Sequence, residues 1–306
     1  MRVVFLGTPA FAVPTLERLL AAGHDVIEVV TQPDRPQGRS QLVAAPPVKR
    51  CALKHGLPVY QPERIKRPEA VERLAALAAD VMVVVGYGQI IPQTILDLAP
   101  RGIINVHASL LPKYRGAAPI QWAIANGETR TGVTTMRIDA GLDTGDMLLR
   151  AETPIGPDET AIELAQHLAA MGAGLLVETL ARGDIEPEPQ NAAEATYAPI
   201  LKKEDGRIDW RRPAAEIHNH VRGLQPWPGG HTTFRGQTLH VWKSRVDAGS
   251  LAPGAIGRAG RRVLAGCGEG ALELVEVQLE GKKRMTAEAF ANGQRLGDND
   301  RLGETP

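Results

Sequence analysis

The first part of the chain alternates between short runs of β-branched residues and longer stretches with apolar residues at helical spacing. The runs are continuously apolar, which is typical of parallel strands buried on both faces. Strands that alternate with helices predict an open α/β sheet with right-handed crossovers. The predicted strands are Val3–Leu6, Val26–Thr31, Val81–Val85 and Ile103–His107.

Helical spacing of apolar residues predicts helices between these strands and after them. Thr160 and Glu163 have the spacing of a capping box ahead of a long apolar helix. Gly7 begins a G-x-x-x-F pattern that lacks two glycines of the dinucleotide fingerprint, so we do not expect NAD binding. The predicted helices are Pro14–Ala22, Glu69–Ala79, Pro119–Asn126, Ile162–Leu180 and Ala214–Arg222.

The periodicity fades from Asp184 to about Arg207, where proline and charged residues accumulate, and this predicts a linker. Several short extended segments then follow, punctuated by glycines, which is typical of a small β-barrel. We therefore expect a domain over 1–188, a linker over 189–207 and a second domain over 208–306. The predicted barrel strands are Gln237–Lys243, Gly254–Ile256, Val263–Ala265 and Ala271–Val277.

Charge and cysteine content narrow the function classes. Residues 1–188 hold 18 basic and 21 acidic residues, whereas residues 208–306 hold 14 and 11. This difference is either scatter or a C-terminal half that meets a polyanion. Cys51 and Cys267 lie outside any C-x-x-C spacing, so we expect free thiols in a reducing compartment and no metal site. No apolar run or leader pattern predicts a membrane span or export, and we expect a cytoplasmic protein.

A polar pair, Asn105 and His107, interrupts the last of the early apolar runs in the sequence NVHASLLPKYRG. Alternate side chains of a strand face opposite sides, so these two share one face. They also lie at the carboxyl end of the strand, where open α/β sheets bind ligands. An amide and an imidazole in one crevice suit an oxyanion hole. The alternative is a pair of polar side chains that are simply satisfied at a strand end.

A glycine-flanked acidic loop, GLDTGD, offers a carboxylate partner for the imidazole. Asp143 could favour the protonated form of His107 and fix its orientation. Asp139 and Asp146 are competing candidates that spacing alone does not separate. A simple turn or a cation-binding loop would also explain these residues.

The proline-rich segment QPDRPQGRSQLVAAPPVKR is predicted to be a long loop. Loops of this length are uncommon unless they are functional or disordered. Its cations are placed to contact phosphates, although a solvated loop is the alternative. They are Arg35, Arg39, Lys49 and Arg50.

The sequence from Asn105 to Val133, followed by DAGLDTGDML, resembles the formyltransferases that use 10-formyltetrahydrofolate. Their signature is N-x-H, then S-L-L-P-x-x-R-G, then a downstream L-D-T-G-D. Further segments (FLGTPAFAVPTLERLL, TQPDRPQGR, YAPILKKEDGRIDW, VRGLQPWPGG and GKKRMTAEAFANGQRL) are similar to the members of this family that act on methionyl-tRNA. The resemblance covers nearly the whole chain.

The resemblance implies a Rossmann-like catalytic domain, a linker and a smaller OB-like β-barrel that helps to hold tRNA. It implies that Asn105, His107 and Asp143 form the catalytic trio. It places Ser109, Leu110, Leu111 and Pro112 along the folate site, and the backbone of Gly86, Tyr87 and Gly88 against the pterin. The loop with Arg35, Arg39, Lys49 and Arg50 would enter the tRNA acceptor stem.

The implied activity is transfer of the formyl group from 10-formyltetrahydrofolate to the α-amine of methionyl initiator tRNA, without a metal, by a monomer. One departure stands out, since family members commonly carry two lysines after Gly38-Arg39 and this chain has Ser40-Gln41. Fewer phosphate contacts would alter the affinity for tRNA or its salt dependence. The alternatives are a formyltransferase for a small amine, such as glycinamide ribonucleotide or an amino sugar nucleotide, a formyl-folate hydrolase, or a non-catalytic folate- or RNA-binding protein.

Overall fold

We analysed a computed structural model of the protein, which describes residues 1–37, 42–182, 185–297 and 299–303. The chain folds into two compact units. The N-terminal unit comprises 1–116, 131–153 and 165–197, and the C-terminal unit comprises 117–130, 154–164 and 198–306. The C-terminal unit therefore includes two segments that precede the last segment of the N-terminal unit, residues 165–197.

The strands and helices are numbered in chain order. The strands are β1 Arg2–Gly7, β2 Asp25–Val30, β3 Arg35–Gln37, β4 Leu42–Ala44, β5 Val59–Tyr60, β6 Val81–Val85, β7 Ile103–His107, β8 Arg115–Gly116, β9 Arg130–Arg137, β10 Met147–Pro154, β11 Tyr197–Ala198, β12 His231–Phe234, β13 Gln237–Asp247, β14 Ile256–Ala259, β15 Arg262–Gly266, β16 Ala271–Leu279 and β17 Met285–Thr286. The helices are α1 Val13–Ala21, α2 Pro47–Lys54, α3 Pro68–Ala76, α4 Gln93–Leu96, α5 Pro119–Ala125, α6 Ala161–Ala181, α7 Ala214–Gly223 and α8 Ala287–Gly293.

The N-terminal unit is built on a seven-stranded sheet with the order β10-β9-β7-β6-β1-β2-β5. The pairs β1–β2, β1–β6, β2–β5 and β6–β7 are parallel, whereas β7 and β9 are antiparallel. The open α/β sheet predicted from the apolar runs is confirmed, and the four predicted strands are β1, β2, β6 and β7. The carboxyl ends of β6 and β7 consequently lie side by side at one edge of the sheet.

Both faces of this sheet are covered by helices, as continuous apolar strands require. One apolar cluster contains Val83, Ile104 and Val106 together with residues of α1, α2 and α6. The other contains Val84 and Ile103 together with residues of α3 and α4. The side chains of β7 thus alternate between the two faces, which leaves Asn105 and His107 on the face of Ile103.

Helix α6 begins with the predicted capping box. The backbone N–H of Thr160 donates to the Glu163 carboxylate at 2.9 Å, and the N–H of Glu163 donates to the Thr160 hydroxyl at 3.3 Å. Helix α6 has 21 residues and contains an 18-residue stretch with a mean hydropathy of 1.2, so it is the one described helix whose length and composition would allow it to cross a membrane. Half of that stretch is buried in the protein, and Leu176 and Leu180 belong to the apolar cluster with β1 and β7. We therefore describe α6 as a core helix.

The C-terminal unit contains a curled antiparallel sheet with the order β12-β13-β16-β15-β14, and β17 pairs with β16. Its inner face, with α7 and α8, buries a cluster that includes Trp210, Phe234 and Phe290. The rings of Phe234 and Phe290 meet edge to face at 5.1 Å. This half-barrel confirms the curled β-sheet domain expected from the glycine-punctuated segments, although the barrel is only half closed.

Two predictions of local structure are wrong. The strand predicted at Gly254–Ile256 begins only at Ile256, because Gly254 has φ = +78° and its N–H bonds to Gly266 across a turn. The predicted long loop contains β3 and β4, which form an antiparallel hairpin, and the start of α2. Helix α2 has only eight residues and begins with a proline at its first turn, so its pattern was too short to detect.

Candidate active site

Strand β7 places Asn105 and His107 at the carboxyl edge of the sheet. Its neighbours are parallel β6 and antiparallel β9, so Asn105 lies opposite Val84 on one side and Met136 on the other. Both polar side chains are nearly buried, with 8% of Asn105 and 6% of His107 exposed. The expected shared face is therefore present, and it is largely shielded from water.

The amide of Asn105 forms no hydrogen bond within the part of the chain that the structure describes. The residue is 8% exposed, and its amide atoms keep some contact with solvent, so a ligand can reach them. A polar group without a protein partner on a largely buried residue calls for an explanation, and a ligand-binding or catalytic role is one such explanation. The alternative interpretation, in which the Asn105 amide is hydrogen-bonded within the protein at the strand end, therefore does not describe this side chain.

His107 is oriented by a backbone carbonyl. Its Nε2 lies 2.9 Å from the carbonyl oxygen of Tyr114. A carbonyl oxygen only accepts, so Nε2 carries the hydrogen and donates it. Tyr114 is itself held in the left-handed region at φ = +59°, where its N–H donates to the Thr196 hydroxyl at 2.8 Å. Nδ1 is therefore the ring nitrogen available for chemistry.

Asp143 faces that nitrogen. Its Oδ2 lies 3.7 Å from Nδ1 of His107, and the same oxygen accepts the N–H of Gly116 at 2.8 Å. The Asp143 backbone lies at φ = +51°, a conformation that short polar residues tolerate best after glycine. The Asp139 carboxylate instead accepts the Gly141 N–H and the Thr144 hydroxyl inside its own loop. Among the described residues, Asp143 is the acidic candidate whose carboxylate forms an ion pair with His107.

Gln190 binds the backbone of the acidic loop, and Arg115 binds Gln190. The Gln190 side-chain amide donates to the carbonyl oxygen of Asp143 at 2.9 Å and to that of Gly145 at 2.7 Å. Its Oε1 accepts two hydrogen bonds, at 3.0 and 2.8 Å, from the guanidinium of Arg115. Arg115 is only 5% exposed. Both polar atoms of the Gln190 side chain are therefore hydrogen-bonded: Nε2 to the acidic loop and Oε1 to Arg115.

The segment that follows β7 packs mainly inward. The hydroxyl of Ser109 donates to the carbonyl of Lys113 at 2.6 Å, and Thr134 bridges the Ser109 carbonyl and the Leu111 N–H at 2.7 and 3.2 Å. Ser109, Leu111 and Pro112 are buried, whereas Leu110 is partly exposed. Ser109, Leu111 and Pro112 therefore contribute to this side of the candidate site through packing and backbone groups, and Leu110 can contribute its partly exposed side chain.

The turn Gly86–Tyr87–Gly88 follows β6 at the same edge of the sheet. Gly86 and Gly88 have φ values of +57° and +86° and are exposed. The Tyr87 carbonyl accepts the Thr8 hydroxyl at 2.9 Å and the Gln32 amide at 3.2 Å. The Tyr87 ring is buried, and burial raises the pKa of its hydroxyl above the ordinary range. What this turn presents to a ligand is its glycine backbone.

The predicted tRNA-contacting cations fall in different environments. Arg35 is exposed, and Arg50 is exposed while it donates to the Ala45 carbonyl at 3.1 Å. The ammonium of Lys49 forms a 2.7 Å ion pair with Asp34. Hydrogen bonds from Gln61 and Lys49 lower the pKa of the Asp34 carboxyl. Arg39 lies outside the described residues.

A group of potential metal ligands, Glu17, Cys51 and His55, has ligand atoms within 4.8 Å of one another. The Cys51 thiol donates to Glu17 at 3.9 Å, and burial together with that carboxylate raises the pKa of the thiol. A metal would need the thiolate, which this environment disfavours. We assign no metal to the group, and Cys51 and Cys267 are both free thiols.

Some residues of the site carried no signal in the sequence. Thr134 became part of the site only through the antiparallel register of β9 with β7. Gln190 and Thr196 lie in the predicted linker and reach the site across more than 40 residues of sequence, for example 75 from Arg115 to Gln190. Tyr114 acts through its carbonyl, which every residue type has.

Comparison with known proteins gives family matches in both halves of the chain. The family described as formyl transferase matches residues 1–180, and its C-terminal domain matches residues 200–295. A methionyl-tRNA formyltransferase of Solibacter usitatus is 67% identical over 309 residues, covering 99% of both chains. Those of Koribacter versatilis and Geobacter sulfurreducens are 60% and 50% identical, each covering 99% of this chain and at least 97% of the relative.

Solved structures show the same fold at lower identity. A sugar 3-N-formyltransferase, solved with dTDP and 5-N-formyl-THF, has a TM-score of 0.69 at 20% identity, covering 92% of this chain and 99% of that chain. HypX from Aquifex aeolicus with tetrahydrofolic acid has a TM-score of 0.66 at 17% identity, covering 97% of this chain and 48% of that one. At these identities the likeness concerns the fold alone. The family match and the full-length relatives show that the chain belongs to the formyl transferase family and, within it, to the methionyl-tRNA formyltransferases.

Proposed function

We propose that the protein transfers the formyl group of 10-formyltetrahydrofolate to the free α-amine of methionyl initiator tRNA. The reaction type is supported chiefly by the amide of Asn105, which has no hydrogen-bond partner among the described residues, on the same strand face as an imidazole whose Nε2 is already bound to a carbonyl. The acceptor is supported by full-length relatives at 50–67% identity that are named for it. The folate supplies the formyl group, and its N10 receives the proton that the amine loses.

Asn105 and His107 would stabilise the oxygen of the formyl group as the amine attacks. Negative charge develops on that oxygen, and the Asn105 amide together with a protonated Nδ1 of His107 would donate hydrogen bonds to it. Both donors are buried, so their fixed dipoles act with little screening by water. The Tyr114 carbonyl would keep His107 from turning away.

Asp143 would balance the charge on His107 and help to move a proton from the attacking amine to the leaving nitrogen. Its Oδ2 is near Nδ1, and its second oxygen has no hydrogen bond among the residues described. A free α-amine has a pKa near about 7.7–8.0, and the adjacent ester lowers it, so the neutral nucleophile is present at pH 7. The C–N bond to the acceptor forms while the bond from the formyl carbon to N10 breaks.

The folate would lie along the carboxyl edge of β6 and β7. Gly86 and Gly88 are exposed and carry no side chain of their own, which suits the approach of a flat heterocycle to their backbone beside the Pro9 ring. The partly exposed Leu110 supplies an apolar contact, and the buried Ser109, Leu111 and Pro112 set the shape of that wall.

The tRNA would be held by cations of both units. In the N-terminal unit we assign this role to Arg35, Arg39, Lys49 and Arg50. The C-terminal unit has a cleft of about 800 Å³ lined by Lys203, Arg207, Arg211 and His231 among others. Asp209 neutralises part of that charge through its bidentate pair with Arg211. We propose that the protein acts in the cytoplasm as a monomer, with domain boundaries at 188 and 207.

Formyl transfer from 10-formyltetrahydrofolate to methionyl initiator and elongator tRNA, at low and high salt, tests this function. We expect strong preference for the initiator and weaker binding at high salt. Transfer to glycinamide ribonucleotide or an amino sugar nucleotide, but not to either tRNA, would overturn the proposed acceptor. Release of formate without any acceptor would instead indicate a hydrolase.

A further inference from the structure

We propose that Arg115 and Gln190 form a clasp that sets the position of the Asp143 carboxylate, so that Gln190 is a positioning residue for formyl transfer. The inference rests on the proposed function and goes beyond the catalytic trio. Gln190 lies outside both motifs that identify the family. Nothing in its own neighbourhood of sequence, EPEPQNAAEA, suggests a part in catalysis.

The acidic loop around Asp143 has a strained backbone. Asp143 lies at φ = +51°, a backbone conformation that costs free energy for any residue with a Cβ. Such a conformation persists only where the surroundings impose it. Gln190 supplies that constraint, because its amide donates to the carbonyls of Asp143 and Gly145, at 2.9 and 2.7 Å. These carbonyls bracket the turn from which the carboxylate projects.

Gln190 is itself held in place by Arg115. The guanidinium of Arg115 donates two hydrogen bonds to Oε1, which fixes the amide plane and determines that its NH₂ group faces the loop. Arg115 is buried, and its N–H donates to the Thr196 carbonyl at 2.9 Å. The neighbouring Gly116 N–H donates to Oδ2 of Asp143. The Arg115–Gly116 pair thus contacts Asp143 directly through one residue and by way of Gln190 through the other.

The contact between Asp143 and His107 leaves little room for displacement of the acidic loop. Asp143 Oδ2 is 3.7 Å from Nδ1 of His107, which is already longer than a hydrogen bond, so a further shift of about 1 Å would leave only a weakened charge interaction. Displacements of that size cost about a hundredfold in rate when they affect reacting groups. The role of Gln190 should therefore appear in turnover and not in substrate binding.

Three substitutions separate positioning from simple stability. Gln190→Glu keeps an acceptor for Arg115 but loses the amide donor, and it turns an oxygen toward two carbonyls. Gln190→Leu removes both halves. Asn191→Ala is the matched control, because both side-chain hydrogen bonds of Asn191 stay within the short turn that follows: Oδ1 accepts the Ala193 N–H at 3.1 Å, and Nδ2 donates to the Glu194 carboxylate at 2.9 Å. We expect both Gln190 variants to lower kcat by about 10- to 100-fold with KM within about twofold, and the control to retain wild-type kcat.

A double-mutant cycle with Asp143→Ala provides the decisive readout. If Gln190 acts through Asp143, Gln190→Leu should lower kcat in the wild type but add less than about twofold in the Asp143→Ala background. Fully additive losses, or wild-type kcat in Gln190→Glu, would overturn the clasp. If Asp143→Ala alone retains wild-type turnover, the proposed catalytic role of Asp143 fails. Loss in Asp143→Ala with normal turnover in both Gln190 variants removes only the clasp.

Discussion

The Nε2–H of His107 donates a 2.9 Å hydrogen bond to the carbonyl oxygen of Tyr114. Because the carbonyl has no hydrogen to offer, this contact leaves Nδ1 as the ring nitrogen free to face a ligand. Nδ1 also lies on the side of Asp143. A residue that acts through its backbone thus sets the orientation of the imidazole.

Loss of either oxyanion donor should reduce turnover with little effect on binding. We expect Asn105→Ala and His107→Ala each to lower kcat by about 10²–10³, because the developing negative charge loses one preorganised donor. Steady-state kinetics with saturating folate, under conditions where chemistry limits the rate, measures this. Turnover of His107→Ala close to that of the wild type would contradict the assignment.

Among the acidic residues of the loop, Asp143 should be the one that matters for chemistry. We expect Asp143→Asn to lower kcat by about 10²-fold or more, since the neutral amide cannot balance a protonated His107. Asp146→Asn is the control, because the described structure shows no ion pair between Asp146 and His107. An equal loss in both variants would indicate that the loop requires negative charge in general.

The cations of the β3–β4 hairpin and α2 should differ in their contribution to tRNA binding. We expect Arg35→Ala and Arg50→Ala to weaken binding and to reduce the slope of log affinity against log salt by about 1 each, as for a lost phosphate contact. Lys49→Ala should change the slope less, since Asp34 already pairs with Lys49 at 2.7 Å. Filter binding of tRNA over a series of salt concentrations tests the order.

The stability of the C-terminal unit should fall in mild acid. Burial lowers the pKa of both His218 and His220, so at a pH just below the ordinary histidine value the unfolded chain takes up protons that the folded chain refuses. Stability is therefore complete above about pH 6.5 and declines as the pH falls below it. The Pro157 carbonyl and the Asp158 carboxylate lie 3.2 and 3.3 Å from Nε2 of His218 and favour its protonation, but burial is the larger effect.

Urea unfolding between pH 5 and 8 measures this dependence. His218→Gln and His220→Gln should each flatten the decline, and the exposed His55→Gln should leave it unchanged. A wild-type protein whose stability rises toward pH 5 would show that these histidines are protonated in the folded state.

A buried carboxylate makes the N-terminal sheet sensitive to one exposed arginine. Glu28 on β2 is only 1% exposed and accepts two hydrogen bonds from Arg73, at 2.8 and 2.7 Å. We expect Arg73→Met to lower the free energy of unfolding by about 3–5 kcal/mol, because it leaves a buried charge unpaired. Arg67→Met breaks only a 3.9 Å surface pair with Glu69 and should cost less than about 1 kcal/mol.

Much of the fold was readable because its signals are local. Continuous apolar runs predicted β1, β2, β6 and β7, and the capping box of Thr160 and Glu163 predicted the start of α6. Short elements escaped, since α2 and β12 contain too few residues for a periodic pattern to stand out. The alternation of side chains along β7 also predicted that Asn105 and His107 share a face, a relation that requires only the pleat of one strand.

What the sequence determined by itself is therefore the fold class and the placement of Asn105 and His107 on one face of β7, because both follow from the spacing of neighbouring residues. The tertiary structure alone decided which carboxylate faces His107, which ring nitrogen is free, and that Gln190 holds the acidic loop. Those contacts join residues 7, 36 and 47 positions apart, from His107 to Tyr114, from His107 to Asp143 and from Asp143 to Gln190. They depend on how loops close over the sheet edge, and residue type and spacing do not encode that closure locally.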